Sequence, residues 1–143
     1  MKNLIFLTTF LFSIFLTGQE ISLYNSDGDA VAYIDTTDED TTIYLWGGEP
    51  VAYLTYESGS YNIYGFNGTH LGWYEDGIIR NHEGDAVGFK KGSVRGVYTN
   101  YEGYKGYKQY KPYKSYQEYA PYKPYYSTSF SNESLILFLK RGI

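Results

Sequence analysis

The chain has 143 residues, of which 19 are Tyr and none is Cys, a length suited to one domain with appendages. Without Cys, disulfides and thiolate metal sites are excluded. The formal net charge of −4 hides an asymmetry: residues 20–97 carry 13 acidic and 4 basic side chains, whereas residues 98–143 carry 3 and 7, so an acidic body precedes a basic tail.

Residues 1–18, "MKNLIFLTTFLFSIFLTG", place Lys2 before an apolar run from Leu4 to Leu16. A spanning helix needs about 20 apolar residues, and this shorter run matches a secretory signal peptide. The expectation is export to the periplasm or exterior, with membrane association if the leader stays uncleaved as an anchor.

Residues 19–97 contain an internal repeat. Aligned on Gly28, Gly48, Gly68 and Gly84, the chain shows Val31, Val51, Leu71 and Val87 three residues later. Next come Ala32, Ala52, Gly72 and Gly88, then Tyr33, Tyr53, Trp73 and Phe89; five residues before each glycine stand Leu23, Ile43, Ile63 and Ile79. Each copy reads as a β-hairpin, because glycine accepts the positive φ of a tight turn and stands between β-prone runs. If Asp27-Gly28 and its equivalents are two-residue turns, Tyr24 faces Val31, and Leu23, Ala32 and Ile34 share the other face. A one-residue bulge would shift that register. A small residue at one strand position in all four copies implies close approach. Ala32, Ala52, Gly72 and Gly88 are therefore expected near a common axis lined also by Leu23, Ile43, Ile63 and Ile79. A lone hairpin is marginal in water; four can share one core.

The stretches "IYLWGGEPVAYL" and "IYGFNGTHLGWYEDGIIRNHEGDAVGF", with the ending "YKPYYSTSFSNESLILFLKRG", resemble the four-fold β-flower domain family of bacterial proteins. The resemblance implies an all-β fold: a shallow symmetric barrel of four hairpin petals around an apolar channel, similar in outline to lipid-binding barrels. It implies no catalytic residues.

Residues 98–126 change character. Tyr recurs at every third position from Tyr98 to Tyr125, a period that fits neither strand nor α-helix. Polyproline II has three residues per turn and would align the rings on one edge, reaching on the order of 85 Å at about 3.1 Å per residue. The segment is either a low-complexity tail or an extended strap docked on the acidic body. Lys alternating with Tyr can bind single-stranded nucleic acid, but an exported chain seldom meets it, and no nucleic-acid partner is expected. Residues 127–143 end in a short helix with an apolar stripe of Leu135, Phe138 and Leu139, Ser131 as its cap and Gly142 as its stop.

Little here resembles a catalytic constellation. His70 and His82 occupy different repeat positions and read as separate surface residues. No metal ligand set, cofactor motif or nucleophile stands out, so no enzyme is expected. Trp46 and Phe66, two residues before their turn glycines, put large aromatics at neighbouring petal tips. They either cover their own hairpins or form a contact surface. With Trp73 they are the candidate binding residues. The expected function is a non-catalytic exported binding module that engages a lipid-like amphiphile or another envelope component. The rival is a structural or adhesion protein that acts through the tyrosine tail.

Overall fold

A computed structural model describes residues 19–143; the expected signal peptide lies outside the described residues. Eight antiparallel strands close into a barrel in simple sequence order. They are β1 (Glu20–Tyr24), β2 (Ala30–Asp35), β3 (Thr42–Leu45), β4 (Pro50–Glu57), β5 (Ser60–Gly65), β6 (His70–Glu75), β7 (Ile78–Arg80) and β8 (Ala86–Lys90). Pairing of Leu23 with Lys90 and of Tyr24 with Phe89 joins β1 to β8 and leaves no free edge. Each petal is one hairpin of the expected repeat, so the all-β, four-petalled architecture holds.

The turns differ from the two-residue form. In each petal the glycine N–H donates to the residue three before it: Gly28 to Asn25, Gly48 to Leu45, Gly68 to Gly65 and Gly84 to Asn81, at 2.8–3.0 Å. The glycine follows with φ between +84° and +101°. This is a three-residue loop, a type I turn closed by a left-handed residue. In the first and fourth petals Asn25 and Asn81 add side-chain support, each Oδ1 accepting two backbone N–H groups of its loop.

A bulge follows in every petal. Leu23 pairs with Ala32, but Tyr24 pairs with Ala30, and the same slip separates Ile43 from Tyr44, Ile63 from Tyr64 and Ile79 from Arg80. Val31, Val51, Leu71 and Val87 are the unpaired bulge residues. They do not face the petal tyrosines across the strand; they pack with the interior. A bulge re-aims one side chain without disturbing the alternation beyond it, so Leu23, Ala32 and Ile34 still share the inner face.

The expected axis residues are packed core instead of a channel lining. Leu23, Ala32, Ile43, Ala52, Ile63 and Ile79 are completely buried. Helix α1 (Leu135–Lys140) corks the petal end, burying Leu135, Phe138 and Leu139 in the same cluster. Gly72 and Gly88 make room for this cork: a Cβ on Gly72 would press on the Phe138 ring and the Arg80 carbonyl, and one on Gly88 on Leu135. The helix cap is Ser134, whose Oγ accepts from Leu137 N, and not Ser131. Ser131 holds the preceding turn, accepting from Glu133 N. No helix among the described residues is long and apolar enough to cross a membrane.

Candidate functional site

The outer wall of the barrel is aromatic. At the seams between petals, Tyr33 stacks on Tyr44 (5.5 Å), Tyr53 on Tyr64 (6.3 Å) and Phe89 on Tyr24 (5.8 Å). The third seam pairs Trp73 with Arg80. Uncovered, these rings would be an apolar girdle. The tail covers them.

Residues 98–127 form an extended strap that visits all four petals. The Asn100 N–H donates to Gly28 O, Gln109 to Gly48 O, Glu118 to Gly68 O and Ser127 to Gly84 O, at 2.8–3.1 Å. Gly106 and Ser115 add bonds to Trp46 O and Phe66 O. The period of three thus carries a period of nine, one nonapeptide per petal. At each crossing the turn glycine lies against the carbonyl of Tyr98, Tyr107, Tyr116 or Tyr125, where a Cβ would overlap that oxygen. Glycine is therefore required twice over, for its φ and for the strap's approach. Pro112 and Pro121 fall on the remaining register position, where the strap donates no N–H.

The three residues of each strap turn face three ways. One position bonds the petal turns. The second reaches the barrel wall: Lys105 to Glu20, Lys108 to Glu20 and Asp35, Lys111 to Asp38 and Asp40, and Lys114 to Asp40, all at 2.7–2.8 Å, with Lys123 on Glu75. Lys105 also lies 4.5 Å above the Tyr33 ring, and Lys114 4.8 Å above Tyr53. Burial acts to raise the carboxyls of Glu20, Asp35 and Asp38, but hydrogen bonds from these lysines, joined by those of Thr37 on Asp35 and of Thr42 on Asp38, prevail and hold all three below their ordinary range. The Lys111 and Lys114 bonds do the same for Asp40 against a smaller burial effect. Lys108 and Lys111 are raised by their carboxylate partners. Acidic body and basic tail are therefore one docked unit.

The third position is tyrosine, and it points away. All ten rings, from Tyr98 to Tyr125, are 91–102% exposed. No packing among the described residues accounts for them.

The residues expected to bind lie under this strap or in the wall. Phe66 is 3% exposed and packs on Tyr53 (5.4 Å), and Trp73 is 1% exposed. Trp46 meets Tyr33 edge-on, donates Nε1–H to Gly103 O and lies beneath Lys105. The petal tips are strap seats, where Phe66 is buried and Trp46 half-buried. His70 and His82 are neighbours, contrary to the reading from repeat position: Nδ1 of His70 lies 2.9 Å from Nε2 of His82, and the rings stack at 5.2 Å. The tip of the second petal leans on the first, Trp46 N donating to Val31 O, and the His82 tip leans on the third petal at His70. His70 Nε2–H donates to Asn62 Oδ1 (2.9 Å), leaving Nδ1 to accept from His82. Burial, with the adjacent His82, pushes His70 down to about 4. Glu118 of the strap accepts from His70 N at 2.7 Å, so the pair is a structural clasp.

At the end opposite the helix the barrel opens into a mouth of about 500 Å³ lined by Ile21, Tyr56, Tyr61, Tyr74, Glu75 and Lys90, among others. By strand alternation Ile21, Tyr56, Tyr61 and Tyr74 belong to the inner face. Tyr56 and Tyr61 stand exposed at its lip, 4.9 Å apart. Among the described residues, no three His, Asp or Glu side chains form a metal-holding group.

These features define a class: a four-petalled antiparallel barrel, corked by its C-terminal helix and belted by its own tyrosine-bearing tail. Residues 21–139 match the model of the 4-fold beta flower protein family, and the chain belongs to that family. The match takes in the strap and the helix as well as the barrel. No curated protein and no solved structure matches the chain.

Proposed function

We propose that this protein is a non-catalytic, exported adhesion module that binds polysaccharide through the tyrosine strap. One observation carries the reading: ten tyrosines fully exposed on a strap whose other two faces are both committed to the barrel. Exposed apolar surface of this extent marks an interaction surface, and a row of aromatic faces with hydroxyl tips suits sugar rings, which offer C–H faces and hydroxyl groups. The strap lysines are paired with carboxylates of the body, which leaves little free positive charge for a polyanion and favours a neutral glycan over nucleic acid. The test is co-sedimentation of the full chain with insoluble cellulose, chitin and peptidoglycan. Replacing Tyr104, Tyr107, Tyr110, Tyr113 and Tyr116 with Ser is expected to abolish pelleting while the melting temperature stays unchanged. Equal pelleting of that variant, or no pelleting of the parent on any glycan, counts against the reading.

A second reading has its own support. The mouth lined by Ile21, Tyr56, Tyr61 and Tyr74 has a volume in the range of small-molecule sites, and the chain enters the barrel beside it at Glu20. An amphiphile could place its apolar end there. Lipid extraction and liposome flotation, with Tyr56→Ala/Tyr61→Ala as the comparison, test this reading separately from the strap.

A further inference from the structure

The strap phenols are chemically set apart from the rest. Tyr24, Tyr33, Tyr44, Tyr53 and Tyr64 are buried in the barrel wall. Three of these hydroxyls are also engaged: Tyr24 donates to Glu102 (2.5 Å), Tyr64 donates to Glu118 O (2.9 Å), and Tyr53 accepts from Gln117 (3.0 Å). The ten strap phenols have full solvent access. Successive strap rings are anchored about 9 Å apart, three residues at about 3.1 Å each, and near-complete exposure means that none touches another. The backbone bonds to the petal turns hold this spacing.

We infer that the strap is a site of oxidative tyrosine coupling between copies of this chain, a covalent cross-linking surface in a protein without Cys. The oxidant is hydrogen peroxide acting through a haem peroxidase. Two phenols each lose one electron and one proton to become phenoxyl radicals, and the peroxide takes up both electrons and both protons to give two waters. The radicals join through ring carbons ortho to their oxygens. Each ring then moves its ortho hydrogen to oxygen, restoring two phenols linked by one carbon–carbon bond. Docking decides the outcome. A free tail could fold back and couple within itself, whereas rings held apart on a convex belt meet only rings of another molecule. The inference uses the same outward display as the adhesion reading, but not its ligand.

The experiment treats the full chain with hydrogen peroxide and a haem peroxidase, following dityrosine fluorescence, covalent multimers on denaturing gels and cross-linked peptides by mass spectrometry. Expected are multimers joined ladder to ladder, at a rate that rises with protein concentration, while the five wall tyrosines stay unmodified. Tyr56 and Tyr61, 4.9 Å apart, are the pair expected to couple within one chain. Changing all ten ladder tyrosines to Phe lowers the exposed phenols from twelve to two. Because coupling is second order in them, the initial rate of multimer formation falls by more than an order of magnitude. Asp38→Asn/Asp40→Asn, which loosens the strap, shifts coupling toward links within one chain. Ladder links that form mostly within one chain of the docked protein, or multimers undiminished in the Phe variant, overturn the inference. Phe keeps the aromatic faces, so glycan pelleting retained by that variant separates failure here from failure of the adhesion reading.

Discussion

The nonapeptide register makes a quantitative prediction at the petal glycines. Gly68 has φ +88°, and a Cβ there would overlap the Tyr116 carbonyl oxygen; Gly59 has φ +82° and open space around it. Alanine at either position incurs the left-handed penalty, roughly 1–2 kcal/mol. At Gly68 it must also lift the strap, which removes the bonds from Glu118 N to Gly68 O (2.9 Å) and from Ser115 N to Phe66 O (2.8 Å). Each is worth about 0.5–1.5 kcal/mol net. Gly68→Ala is therefore expected to cost about 2–5 kcal/mol against about 1–2 for Gly59→Ala. Urea unfolding measures the difference. Lysine-specific proteolysis supplies a local readout, because cleavage after Lys114 should accelerate in Gly68→Ala and remain slow in Gly59→Ala. Equal stability and equal cleavage in the two variants would refute the strap's seating on the turns.

Acid should release the strap. Asp35, Asp38 and Asp40 have carboxyls held below the ordinary value, so their contribution is present above about pH 4 and is lost as pH falls through the lowered values; the fluorescence of Trp46, whose Nε1–H donates to the strap at Gly103 O, measured against pH reads it. His70 acts at milder pH. Its imidazole is held neutral, at about 4 in the fold, so the unfolded chain binds the extra proton between pH 6.5 and 4 and stability falls as pH drops through that window. The loss is at most about 3 kcal/mol, and His70→Gln should flatten that part of a stability–pH curve. Removing the cork is a third test: Phe138 is fully buried, and Phe138→Ala should cost about 3–5 kcal/mol in chemical denaturation. Gly72→Leu presses on the same ring and on the Arg80 carbonyl, with an expected loss of about 1–3 kcal/mol.

The hairpins were legible because their cause is local. A left-handed turn residue favours glycine, and the Leu23, Ala32, Ile34 parity survives a bulge. The bulge itself left no mark, since Val31 and Tyr33 are both apolar and either could face inward. Contacts between petals were less accessible still. Aligning repeats compares equivalent positions, but the barrel brings together inequivalent ones, such as the His82 tip and the His70 strand start, or Trp46 and Tyr33. That is why the repeat left Phe66 either covering its own hairpin or forming a contact surface, whereas in the fold it packs on Tyr53 of the preceding petal. The strap's period of three was plain from tyrosine alone. Its period of nine rests on Asn100, Gln109, Glu118 and Ser127, whose shared role is a backbone bond and whose side chains have little in common.

The two spacings show what the repeat is for. Along the barrel the turn glycines stand 20, 20 and 16 residues apart, yet the strap residues lying on them, Tyr98, Tyr107, Tyr116 and Tyr125, are spaced evenly by nine. The irregularity sits at the far end of the barrel. There the petals are joined by the Thr36–Thr41 loop, by the long β4–β5 hairpin and by the short Asp76-Gly77 turn. None of these changes the angle between petal tips, which barrel closure sets. The strap measures that angle at about 28 Å of extended chain per petal. Pro112 and Pro121 stiffen it where no N–H is required. Insertions at the far end should therefore be tolerated without loss of the belt, whereas a single residue inserted between Tyr107 and Tyr116 should displace every later bond. It would also turn the following tyrosines toward the wall and the following lysines toward the petal turns. Inserting one Ser after Lys111 tests this directly: the exposure of Tyr116, Tyr119 and Tyr122 to a phenol-modifying reagent should fall, or the strap beyond Pro112 should become protease-sensitive. An unchanged modification pattern with an intact strap would mean that the register does not govern which way the ladder faces.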